Sequence, residues 1–160
     1  YMSNNIWQPL GMKHDAFWVI DRPGSSGREV GGAFFNATLG DWARFGLFIS
    51  RGGVWETEPL LPDNWVANAT TTTEAHLAHG QVDKNWRKGY GWHWWTFADR
   101  TFQADGSRGQ SIFIDPTREL VVARASAWPA DWVEKYDDQT HAFYEGVMAF
   151  VDAKSSGVRE

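Results

Sequence analysis

The sequence predicts an α+β fold in which an antiparallel sheet is packed with helices. Three observations lead there. Apolar residues recur at helical spacing after Thr38, the period turns strand-like from Tyr90 onward, and helical spacing returns near the C-terminus.

Each element has its own signal. In "ATLGDWARFGLFISRGG", Thr38 caps with Asp41 answering three residues on. Leu39, Trp42, Phe45 and Ile49 then share a face until Gly52 and Gly53 stop the helix. A shorter helix is expected in "LPDNWVANAT", where Pro62 suits a first turn and Trp65, Val66 and Ala69 lie together. From Tyr90 the segments "GYGWHWWTF", "RTFQAD", "GQSIFID" and "ELVVARASA" are rich in aromatic and β-branched residues, with turn signals at "ADRT" and "DPTR", which predicts three or four antiparallel strands. Alternation along the first of them places Tyr90, Trp92 and Trp94 on one face and His93, Trp95 and Phe97 on the other. In "DDQTHAFYEGVMAFVDA" an aspartate cap precedes a stripe of Phe143, Val147, Phe150 and Val151, which predicts a terminal helix packing that stripe on the sheet.

Composition narrows the function classes. A chain of 160 residues can bury one core, and neither repeats nor a linker divide it. The formal charge of −5 comes without any basic block, so no nucleic-acid partner is expected. No run of apolar residues is long enough to span a bilayer, so no membrane partner is expected either. With no cysteine there is no disulfide framework, thiolate metal site or cysteine nucleophile, and a reducing, cytoplasmic setting is expected. His76 and His79 in "HLAH", with Glu74 nearby, have a spacing that can serve a metal, but a third strong ligand is missing. A solvated loop is the expectation there, with neither metal nor cofactor.

Eleven tryptophans are many for this length, and several cluster in "YGWHWWTF" and "AWPADW". Flat indoles whose N–H groups want partners suit pocket walls, so Trp92, Trp94 and Trp128 are candidate substrate contacts. "FQADGSRGQSIFIDP" is a second candidate feature. A glycine at a strand end, here Gly106, lets a substrate carbonyl approach the next main-chain N–H, as an oxyanion hole requires, while a bulge or plain hairpin turn fits the same spacing. No serine is followed by lysine three residues on, and no Gly-x-Ser-x-Gly elbow or Tyr-x-Asn occurs.

Three segments, in this order, resemble the serine β-lactamase-like family, which includes penicillin-binding proteins, class C β-lactamases and related esterases and amidases. "IWQPLGM" is similar to its Pro-Leu-Gly-Met segment, "GGAFFNATLGDWARFG" to its Gly-Gly loop and Asp-capped helix, and "ADGSRGQSIFIDP" to its sheet-edge triad with the Asp-Pro turn that follows. The Trp-rich strand and the glutamine after Gly109 most resemble the family's 6-aminohexanoate-oligomer hydrolase branch and its carboxylesterase-like relatives. The resemblance implies the C-terminal part of a β-lactamase/transpeptidase-like fold, with the Ser-x-x-K helix and Tyr-x-Asn loop lying before Tyr1 and supplied by an N-terminal portion of the same domain. It puts Ala104, Asp105 and Gly106 at the triad positions, makes the Ser107 N–H an oxyanion donor, and adds Asn36 as a candidate substrate contact. Ala104 stands where the family carries lysine or histidine, which implies a small neutral amide or ester substrate. The chain alone is then expected to be inactive. A non-catalytic module stacking its tryptophans on sugar rings or another flat ligand is the rival reading.

Overall fold

Thr38 opens the first long helix as its sequence context predicts. Its hydroxyl accepts from the Asp41 N–H at 3.2 Å. The Asp41 carboxylate in turn accepts from the Thr38 hydroxyl (2.7 Å) and from the main-chain N–H groups of Lys13 (2.7 Å) and His14 (3.2 Å). Burial alone would raise the Asp41 carboxyl, but these donors outweigh it and hold the group below the usual carboxylate range. One N-cap thus fastens the N-terminal segment to the helix.

The structure, a computed structural model, describes residues 1–82 and 87–157. It runs from a π-helical turn (Ser3–Trp7) through a ribbon of β1 (Phe17–Trp18) and β2 (Phe35–Asn36) to helix α1 (Leu39–Ser50). A second ribbon of β3 (Val54–Trp55) and β4 (Glu58–Pro59), the short helix α2 (Trp65–Ala69) and a 3-10 turn (Ala75–Leu77) lead into the main sheet. That sheet is antiparallel, in the order β5 (Gly89–Tyr90), β6 (Trp95–Thr96), β7 (Phe102–Gly106), β8 (Gln110–Asp115), β9 (Leu120–Arg124). Helix α3 (Glu134–Gly157) follows it.

The two long helices take opposite faces of the sheet. On one, Phe48 and Ile49 of α1 join Trp94, Phe102, Ile112 and Ile114 in the main core. Gly46 lets α1 come this close, because a Cβ there would lie 2.6 Å from Val121 and 2.7 Å from Ile112. On the other face, Tyr144 of α3 stacks on Phe113 with ring centroids 4.3 Å apart. Arg118 ties the far end of α3 down, reaching Asp152 with two bonds of 2.9 Å and Asp115 at 2.6 Å. Among the described residues no helix is long and apolar enough to cross a membrane.

Three elements differ from expectation. Asn64 takes a left-handed φ of 60° as the N-cap of α2, so Pro62 falls in the preceding turn and the helix is confined to five residues. The expected strand from Tyr90 to Phe97 is a hairpin, with Tyr90 facing Trp95 and His93 at φ 62° in the turn. That reversal ends the alternation: Trp92 is exposed in the turn and Trp94 is buried in the core against Phe102. The largest surprise is α3. Its buried residues are Asp137, Thr140, His141 and Tyr144, while Phe143 and Phe150 of the expected inward stripe are 54% and 63% exposed. The sheet face that it covers offers Lys88, Ser111 and Arg124, and polar partners call for a polar helix face.

Candidate active site

Among the described residues, the segment Ala104–Gly106 is paired on one side only. Strand β8 matches it through Gly106↔Gln110, whereas β6 reaches no further than Gln103. The second half of β7 is therefore an open sheet edge, and it ends in a tight turn at Ser107–Gly109. Arg108 (φ 61°) and Gly109 (φ 81°) both adopt left-handed backbone there. Ser107 is exposed, and among the described residues its N–H takes no partner from the surrounding turns, loops and caps. A main-chain donor held at a free edge can meet a developing oxyanion, as the sequence suggests.

Each expected site residue can be placed. Gly106 is extended (φ −108°), and an added Cβ would come no closer than 3.4 Å to its neighbours, so neither backbone nor packing demands glycine. Gly109 is the constrained one, since a Cβ there would run into the Trp128 indole. Ala104 is half-buried against the core on the α1 side. Trp128 covers the turn and also borders an open cavity of about 360 Å³ lined by Arg124, Tyr136, Thr140 and Phe143. Trp92, edge-on to Trp65 at 6.2 Å, and buried Trp94 do not form one wall. Asn36 sits in the separate β1–β2 ribbon, donates to the Phe34 carbonyl at 2.8 Å, and among the described residues has no hydrogen bond to the β7–β8 hairpin. His79 lies 3.4 Å from the Thr96 hydroxyl, and the segment around His76 is mostly exposed.

Asp105 is exposed as a residue, but its carboxylate is turned to partners within the fold. Its carboxylate accepts from the Gln103 amide at 2.9 and 3.0 Å and from the Lys88 ammonium at 3.3 Å. Lys88 is 2% exposed, reaches Asp137 at 3.3 Å as well, and lies between the rings of Trp132 (4.5 Å) and Trp95 (5.4 Å). Burial would raise the Asp137 carboxyl, but His141 and Lys88 outweigh it and hold the group below the ordinary range. This cluster has no local signature, because Lys88 finds its partners on β7 and α3. Next to it, Ser111 bonds the Tyr144 hydroxyl at 2.6 Å and receives the Arg124 Nε–H at 3.2 Å. Ser111 is no substitute nucleophile: it is buried, and burial raises its tyrosine partner so that the phenol stays protonated at neutral pH.

The family model Beta-lactamase matches residues 1–144. The chain belongs to the Beta-lactamase family. A 6-aminohexanoate-dimer hydrolase from Paenarthrobacter ureafaciens is 27% identical over 132 residues, which is 80% of this chain and 33% of that protein. Among solved structures, a Bacillus anthracis protein assigned as a 6-aminohexanoate-dimer hydrolase matches with a TM-score of 0.74 and 25% identity, over 90% of this chain and 36% of that one. The chain thus spans about a third of the length of both relatives. Their names and the family model agree on a β-lactamase-like hydrolase, and the helix-and-sheet architecture agrees with the solved fold.

Proposed function

We propose that this Beta-lactamase-family chain is the sheet-edge portion of a serine hydrolase that cleaves linear amides or esters through an acyl-enzyme. The observation that carries this reading is that Ser107 is an exposed residue at the end of β7 whose N–H takes no partner among the turns, loops and caps of the described residues. In the reaction a serine hydroxyl, supplied with its base by the remainder of a longer protein, adds to the substrate carbonyl. Negative charge then builds on the carbonyl oxygen, where the Ser107 N–H donates to it. Collapse expels the amine or alcohol, which takes up a proton, and water releases the acid from the acylated serine. The names of the relatives make a linear 6-aminohexanoate amide the first substrate to try. Stacking of tryptophans on a flat ligand has less support, since Trp94, Trp95 and Trp128 are engaged with Phe102, Lys88 and Gly109.

The test compares the 160-residue chain with the full-length protein that carries it, using p-nitrophenyl acetate, a 6-aminohexanoate dimer and an active-site serine titrant. The full-length protein should turn over at least one substrate and the shorter chain neither. Stoichiometric labelling of the shorter chain, or an inert full-length protein, would refute the reading. Within the full-length protein, Ser107→Pro deletes the donor and should lower kcat about a hundredfold to a thousandfold, compared only if its melting curve matches the parent.

A further inference from the structure

The turn that presents the Ser107 N–H is held from outside by residues 128–131. The Trp128 N–H donates to the Arg108 carbonyl at 3.1 Å, and the Arg108 N–H donates to the Asp131 carbonyl at 3.3 Å. The Arg108 guanidinium folds back to the carbonyls of Trp128 and Pro129, each at 3.3 Å. The Asp131 carboxylate adds the shortest contact, accepting from the Ser107 hydroxyl at 2.5 Å, and lies 3.9 Å from the Arg108 guanidinium. The indole of Trp128 closes the arrangement over Gly109.

Two of the three turn residues have left-handed backbone, and the Ser107 N–H lies immediately before them. A donor in such a turn works only if its direction is fixed before charge develops, because reorienting it during the reaction forfeits the benefit of preorganisation. Among the described residues Asp131 alone grips both sides of the Ser107–Arg108 peptide, through its carboxylate to the Ser107 side chain and its carbonyl to the Arg108 N–H. It is itself 79% exposed, so the bond contributes little to global stability.

We infer that Asp131 is a positioning residue: by binding the Ser107 hydroxyl it fixes the direction of the Ser107 main-chain N–H toward the substrate oxyanion. This inference rests on the proposed hydrolase reading. It assigns the serine side chain an indirect role beside the direct one of its backbone.

The test uses the full-length enzyme, a p-nitrophenyl ester substrate and four variants whose melting curves are recorded alongside. Asp131→Ala should lower kcat about tenfold with KM unchanged, since a donor out of line costs transition-state binding and leaves ground-state binding alone. Asp131→Asn keeps an acceptor for the Ser107 hydroxyl and should retain kcat within about threefold of the parent. Ser107→Ala should come close to Asp131→Ala, and the double variant should be no worse than Asp131→Ala, because all three lose the Ser107–Asp131 bond and the further Arg108 contact of Asp131 is long and exposed. Asp131→Ala with kcat within about twofold of the parent would overturn the inference, as would losses that multiply in the double variant. Ser107→Pro separates the two failures. If it abolishes turnover while Asp131→Ala is neutral, only the positioning role falls; if it is itself neutral, the sheet edge is not part of the catalytic site.

Discussion

Gly106 and Gly109 stand three residues apart and meet opposite constraints. Gly109 combines a φ of 81° with the overlying Trp128 ring, while Gly106 is extended and has room. Gly109→Ala should therefore cost about 2–3 kcal/mol from overpacking and backbone strain, and Gly106→Ala should stay within about 0.5 kcal/mol of the parent. Urea titration of both variants checks this, and equal losses would contradict it. Sequence spacing located this turn but not the packing demand on Gly109, because a crowding indole that arrives from residue 128 leaves no local trace. Lys88 was illegible for the same reason. A lysine in "NWRKGY" looks like any surface cation, and only tertiary structure brings two carboxylates and two indoles to it.

Among the elements, α1 was legible in its bounds because cap and stop lie within one short segment, but its stripe was only partly right: Leu39 is exposed, and Phe48, outside the stripe, is fully buried. The open half of β7 was legible only through the family resemblance, since nothing local shows where β6 ends. Helix α3 was found but turned the wrong way, because the apolar stripe suggests burial while Asp137, Thr140 and His141 are what the sheet accepts. Asp137 gives that docking a pH signature. Its carboxyl falls below the usual range on folding, so it stabilises the fold fully above the unfolded value of about 3.9 and loses that contribution as pH drops through the lower native value. The stability gap between the parent and Asp137→Asn should be widest near neutral pH and narrow below about pH 4. Chemical denaturation at stepped pH measures it, and a gap that stays flat down to strong acid would dismiss the ion pairing as a source of stability.

For the molecule as a whole, the exposed side of α3 and the outer edge of β9 are the unfinished surfaces. Phe143 and Phe150 face outward on the helix, and among the described residues β9 pairs with β8 alone. Exposed phenylalanines beside an unpaired strand edge favour association. The isolated 160-residue chain should bind a hydrophobic dye and self-associate, and Phe143→Ser with Phe150→Ser should weaken both. A monomer with a sharp melt and no dye uptake would argue against this. The grip on the 107–109 turn has a different whole-molecule consequence, in mutational terms. Two of its bonds are wholly main-chain, from Trp128 to the Arg108 carbonyl and from Arg108 to the Asp131 carbonyl, and survive any substitution there short of proline, whereas the two from the Arg108 guanidinium are lost with that side chain. Trp128 and Asp131 thus keep a main-chain hold on the turn under drift, while Arg108 and the Ser107–Asp131 side-chain pair are where a substitution loosens it.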